Sequence, residues 1–173
     1  MTVHSVFMKH AALEIFQGLA FAAPAVVAFI ILAPLLCVRV DRQLGWQGFV
    51  PGWLQVFGVG PLVFGLAIAA WTLFLFAVDG HGTPNPIAPP RHLVRQGPYR
   101  WSRNPMMLAG WTAGIGLGLL FRSPVYIAFC LVLVCAGSVY VWKFEEPRLR
   151  ARFGEAYDEY RRATPRWLGL RHS

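Results

Sequence analysis

Four apolar runs constrain this chain more than any other feature, at 19–38, 53–78, 105–121 and 124–142. A helix needs about 20 mainly apolar residues to cross the hydrocarbon core of a bilayer. Inside that core each backbone N–H and C=O must be satisfied within its own segment, so runs of this length fold as helices. Charged residues make up only 14% of the sequence, against roughly a quarter in soluble domains. All of them lie outside the runs. The fold class expected is therefore all-α: a polytopic membrane helix bundle with four transmembrane helices, forming a single domain over residues 1–173. Pro24 and Pro34 interrupt the first run and leave a kink or a lateral gate as alternatives there. Only Arg122 and Ser123 separate the third run from the fourth. That spacing predicts an antiparallel hairpin, with Ser123 as N-cap and Pro124 as the first helical residue.

Lysine and arginine set the expected orientation. Four crossings put the beginning of the chain, the loop at 79–104 and the C-terminal tail on one side. Thirteen of the 16 Lys and Arg fall there, leaving Arg39, Arg42 and Arg122 on the other. The bias predicts an integral membrane protein, in a bacterium one of the inner membrane, with both termini cytoplasmic. The net charge of +8 sits on residues that flank apolar segments. Membrane lipids are thus the expected partners, and no nucleic acid is. Trp46, Trp53, Trp101 and Trp142 fall near the expected interfaces as belt residues. Gly110, Gly114 and Gly118 recur at every fourth position of the third run, a face that predicts close approach of a neighbouring helix. Cys37, Cys130 and Cys135 lie in apolar stretches with no metal-like spacing. They predict buried packing, and no metal site is expected.

Two polar segments carry the residues able to do chemistry. The first runs from Asp79 to Pro105 and includes the proline-rich stretch 83–90, which cannot be helical and is expected as a structured cytoplasmic loop. Its Gly97-Pro98-Tyr99-Arg100 reads as a tight turn feeding the third helix, and the aromatic face of Tyr99 could favour a sulfonium cation. The second segment begins at Lys143. Leu149, Phe153, Ala156, Tyr157 and Tyr160 share one helical face there, predicting a C-terminal amphipathic helix on the membrane or on the loop, with a break at Gly154. Glu145 and Glu146 stand at the expected end of the fourth helix, where the macrodipole disfavours carboxylates. Either the nearby arginines or a ligand with vicinal hydroxyls would then partner them.

Taken together these residues resemble a known family. The stretch from Gly97 to Gly110, with Gly97-Pro98-Tyr99-Arg100 and Arg103-Asn104-Pro105-Met106, is similar to the GxYxxxRHPxYxG signature of the isoprenylcysteine carboxyl methyltransferase and phospholipid methyltransferase superfamily. Glu145-Glu146, Phe153-Gly154, Tyr157, Tyr160 and Thr164-Pro165-Arg166 are similar to its EE…FGxxYxxYxxxxPR ending. The resemblance implies a methyltransferase that uses S-adenosyl-L-methionine on a lipophilic acceptor entering from the bilayer. It places the cofactor within 80–167, on His92, Leu93 and Val94, on Tyr99, on Asn104, Pro105, Met106 and Met107, and on Glu145. Arg100 and Arg103 are expected to engage the cofactor's carboxylate or an acidic lipid head group. Glu146 or His92 would be the base if the acceptor is a protonated amine or thiol.

The sequence departs from the pattern at three positions. Asn104 replaces the usual His and cannot titrate, Met107 replaces the usual Tyr, and Val141 stands where the prenylcysteine enzymes carry an arginine. The last argues against prenylcysteine as acceptor. Two rival readings are an NADPH-dependent sterol- or enone-type membrane reductase and a non-catalytic membrane homologue.

Overall fold

The computed structural model describes residues 24–46, 49–79 and 92–168. Lys9, Arg91 and Arg171 of the charge bias, the proline-rich stretch 83–90 and the beginning of the first run lie outside the described residues. All regular elements among the described residues are helical. Helix α1 covers Pro24–Gln43, α2 covers Val56–Val78 after a 3-10 turn at Gly52–Gln55, α3 covers Pro105–Leu120, α4 covers Pro124–Phe153 and α5 covers Glu155–Ala163.

Three of these are long and apolar enough to cross a membrane: α1, the stretch Gly52–Phe76 and α4. The third expected span is shorter than that. Helix α3 has 16 residues, about 24 Å at 1.5 Å per residue against a hydrocarbon core of about 30 Å. Pro105 opens it and the turn at Phe121–Ser123 closes it.

Although short, α3 is the centre of the bundle, with Ala109, Ala113, Gly116 and Leu117 among its buried residues. It lies against α2 at backbone distance. A Cβ on Gly65 would sit 2.5 Å from the Ala109 carbonyl oxygen, and one on Gly116 would sit 2.6 Å from the Leu62 nitrogen. The stripe singled out from sequence does something else. Gly114 and Gly118 abut the side chains of Cys130 and Ile127 on α4, and a Cβ on Gly110 would meet nothing within 4 Å. The α2 face is Ala109, Ala113 and Gly116, offset from the every-fourth-residue glycines. Counted from Gly97, the last position of the signature also falls on Ala109, not on Gly110. The cysteines divide likewise: Cys130 is buried, while Cys37 is half-buried and Cys135 exposed.

Two prolines inside long helices are accommodated in one manner. Pro34 in α1 and Pro147 in α4 each follow a π-helical turn, Ala28–Leu32 and Val141–Glu145 respectively. A proline has no N–H to bond the carbonyl four residues back, and its ring collides with that carbonyl. A widened turn just upstream relieves the collision without breaking the helix. Helix α4 therefore runs on through Glu145 and Glu146 to Phe153. The two glutamates are mid-helix, so the expected clash with a helix C-terminus does not arise. Gly154, at φ +55°, is the real break, as its position suggested. The single amphipathic helix expected from sequence is thus the end of α4 plus α5. Their shared face packs on the segment leading to α3: Tyr157 and Tyr160 are buried with Leu75, Val94 and Tyr99.

At the far end of the bundle, Asp41 closes the α3–α4 turn. Ser123 caps α4, its hydroxyl accepting from the Tyr126 amide at 3.1 Å, with Pro124 in the first turn. The Ser123 hydroxyl donates to Asp41, whose other oxygen accepts the Val125 amide at 3.2 Å. Arg122, at φ +52°, donates its Nε to the Val50 carbonyl at 2.9 Å. Asp41 is 3% exposed, and its charge sits on the favourable N-terminal end of α4. Asp41→Ala is expected to lower stability by about 1–3 kcal/mol, since it removes a cap and orphans a buried hydroxyl. Ser123→Ala should add little to that loss, because both act on one cap. Unfolding in detergent checks this; fully additive losses would contradict a shared cap.

Candidate functional site

The site forms where the segment before α3 meets the second half of α4 and α5. Gly97, at φ +55°, opens the turn Gly97–Arg100 and packs so tightly on α2 that a Cβ would fall 2.8 Å from Leu75. Tyr99 turns inward and meets Phe76 edge-on, with ring centroids 5.7 Å apart. The Tyr160 hydroxyl of α5 donates to the Tyr99 carbonyl at 2.7 Å. Burial, aided by the neighbouring Tyr160 and Glu145, pushes the Tyr99 hydroxyl well above the usual tyrosine range. Burial also raises that of Tyr160, against the opposing pull of Arg103. Both stay protonated. Arg95 fastens α5 from outside, donating to the Ala156 carbonyl at 2.5 Å.

The tail closes the other wall. The Arg103 amide donates to the Pro165 carbonyl at 2.9 Å. Ser102 Oγ and Asn104 Nδ2 both donate to the Arg166 carbonyl, each at 3.1 Å. The Arg166 side chain reaches back to Glu146, with Nε and Nη2 each 2.8 Å from a carboxylate oxygen, while Arg103 Nη1 lies 2.6 Å from Oε1. Glu146 is therefore held by two guanidinium groups, one of them bidentate. Its carboxylate in turn raises the pKa of Arg166.

Between these walls is a cavity of about 500 Å³, within the range of small-molecule and cofactor sites. Of the residues expected from sequence, His92, Leu93, Val94, Tyr99, Arg103, Asn104, Met106, Met107 and Glu145 all line it. Pro105 is buried at the start of α3 without lining it. Arg100 is exposed and also not among the lining residues. Glu146 is turned into the ion pairs behind the cavity. Sequence reasoning missed Tyr140, Arg148 and Arg152, which also line it. The last two stand four residues apart on α4, one turn of a helix, a spacing that was legible. Lys143, the cation nearest to Val141 in sequence, is exposed, and Val141 itself is buried.

One group at the cavity and one inside its wall lack a partner among the described residues. Arg103 has 9% of its side chain exposed, yet its buried Nε finds no acceptor among the described residues. Glu145 differs from its neighbour in forming no ion pair or hydrogen bond with a described residue. A carboxylate thus faces a largely apolar space, and the wall beside it holds an unsatisfied donor. Leaving such groups unsatisfied is costly.

A model of the phospholipid methyltransferase family matches residues 53–156. The chain belongs to that family. The matched region holds α2, α3, α4 and every residue lining the cavity except Tyr157 and Tyr160. Membership makes the protein a membrane methyltransferase at the level at which the family is defined. Comparison with curated proteins and with solved structures gave no match.

The ion triad and the Asn104 contact lead to separable expectations. Glu146→Gln should lower stability by about 3 kcal/mol or more, because it leaves the buried Arg103 without a counter-charge. Asn104→His, which keeps an N–H for the Arg166 carbonyl, should stay within about 1 kcal/mol of the parent, whereas Asn104→Leu should not. Thermal unfolding in detergent compares the three; equal losses for His and Leu at 104 would show that the donor is not what the position supplies.

Proposed function

We propose that this protein is an integral membrane methyltransferase that takes its methyl group from S-adenosyl-L-methionine and gives it to a lipophilic acceptor arriving from the bilayer. What carries the reading is the unpaired carboxylate of Glu145 in a cavity of cofactor size, in a chain of a methyltransferase family. S-adenosyl-L-methionine, when bound, supplies an electrophilic methyl on a sulfonium. The residues present fit that group. Glu145 can accept both hydrogen bonds of a ribose diol, as acidic residues do in nucleotide sites. The Arg103 guanidinium in the wall supplies positive charge toward its carboxylate, and the Tyr99 ring offers a face to a cation. Leu93, Val94, Met106 and Met107 keep water from the reacting atoms, which matters for a displacement that neutralises charge.

The charge bias supports four crossings, with α3 the short one, and with the loop and both termini on the cytoplasmic side. In that arrangement the cofactor enters from the cytoplasm. The acceptor enters between the first turn of α3, at Met106 and Met107, and Tyr140 of α4. Alignment of the two reactants in a dry cavity accounts for much of the expected acceleration. Asn104 and Glu146 act as wall-builders in this reading, since the one cannot titrate and the other is held by two guanidiniums. His92, which lines the cavity, is then the candidate base for an acceptor that must lose a proton.

The purified protein should bind S-adenosylhomocysteine in calorimetry and be thermally stabilised by it, and not by NADPH. Glu145→Gln should weaken that binding about 10- to 100-fold, the worth of one or two hydrogen bonds to a charged group, without lowering the unfolding temperature of the free protein. Wild-type protein that binds no S-adenosylhomocysteine would refute the proposal.

A further inference from the structure

The seam between α3 and α4 is closed twice beside the cavity. Its inner closure is Met107, which lines the cavity and ends against Gly137 of α4. A Cβ on Gly137 would lie 2.7 Å from Met107 Cε and 3.2 Å from the Trp111 ring. The glycine is therefore the notch that lets Met107 cross from one helix to the other. A methionine seated this way is held by packing alone, and its three rotatable bonds let it swing aside without backbone movement.

The outer closure comes from the tail. Trp111 stands about two turns into α3 and one turn beyond Met107. The ring of Trp167 lies on it, with centroids 4.6 Å apart, near the short end of the range of roughly 4.5–7 Å for aromatic pairs. A tryptophan that only marks a membrane interface needs no ring partner; this one is stacked over the seam. The tail is fastened as far as Arg166, whose carbonyl accepts from Ser102 and Asn104 and whose guanidinium holds Glu146. Trp167 forms no hydrogen bond with a described residue, and Leu168 beyond it is exposed. A fixed post at 166 is thus followed by one ring that can turn away.

Resting on the methyltransferase reading above, we infer that Trp167 is the gate of the acceptor's route. Stacked on Trp111, it seals the α3–α4 seam against lipid. Turned out, it uncovers Met107, which the chain of the acceptor then displaces. Trp167 lies beyond the residues matched by the family model and is not among those lining the cavity. Its movement leaves the ion pairs of Glu146 with Arg103 and Arg166 in place, so the acceptor is admitted without disturbing the wall that holds the cofactor.

The test uses full-length protein in dioleoyl phosphatidylcholine nanodiscs, with a thiol reporter at the inner closure, Met107→Cys. N-phenylmaleimide, which dissolves in the bilayer, is compared with a sulfonated maleimide, which does not. Mass spectrometry follows modification peptide by peptide. Native Cys135, exposed on α4, reports the supply of reagent from the lipid. Trp167→Ala should speed labelling of the reporter by N-phenylmaleimide about tenfold relative to Cys135 and leave the rate with the sulfonated reagent unchanged. Trp167→Phe, which keeps a ring on Trp111, should stay slow, and so should Leu168→Ala, the next position of the tail. Should Met107→Cys fail to fold, Met106→Cys, which lines the same cavity, takes the reporter's place. The inference is overturned if Trp167→Ala leaves the rate unchanged or if Leu168→Ala has the same effect. It is overturned equally if Trp167→Ala speeds the sulfonated reagent as much, because the tail then covers the aqueous mouth. None of these readouts uses the cofactor, so failure of the protein to bind S-adenosylhomocysteine strikes the methyltransferase reading alone.

Discussion

The buried carboxylate of Glu146 is what the rest of the site depends on. It joins three pieces of chain distant in sequence: the segment before α3 through Arg103, the second half of α4 on which it stands, and the tail through Arg166. A buried charge of this kind adds little net stability compared with apolar packing, yet it is strongly unfavourable to leave half-made. Its effect is therefore to make one arrangement of the three pieces much better than others. The backbone contacts of Ser102, Arg103 and Asn104 with residues 165–166 have this same arrangement as their condition. So does the cavity, whose walls are those pieces.

Adjacent glutamates on one helix thereby acquire different work. Residues one apart on a helix do not share a face, and the π-helical turn ahead of Pro147 sets how the two are aimed. One faces the guanidinium groups and is saturated; the other faces the cavity and is not. Two identical side chains are distinguished by direction alone. Arg150 and Arg161 share Asp158, while Arg148 and Arg152, both exposed, stand at the cavity rim.

Much of this was legible in the sequence, for identifiable reasons. Apolar runs near 20 residues permit few folds, and Ser123-Pro124 is a local start signal whose meaning needs no tertiary context. Motif residues were legible as a group: nine of the expected site residues line one cavity. The failures are tertiary. The glutamates looked terminal because an apolar run ends there, while the helix continues on bonds that hydropathy does not report. The every-fourth-residue glycines marked a real face of α3 but not the one nearest α2, since Gly58 and Gly65 of α2 decide where the backbones can meet. Asp41 gave no local signal at all, its partners lying more than 80 residues away. Asn104 looked like a lost imidazole and serves as a neutral donor to a carbonyl.

The continuity of α4 has a mechanical consequence. Thirty residues without a break make a rod about 45 Å long, whose apolar portion is matched to lipid and whose far portion carries Glu145, Arg148 and Arg152. A helix adapts to a thicker or thinner bilayer by changing its tilt. Here the ion pair of Glu146 with Arg103 ties the far portion of the rod to the segment before α3, so the tilt of the apolar portion and the position of the polar chamber are mechanically connected.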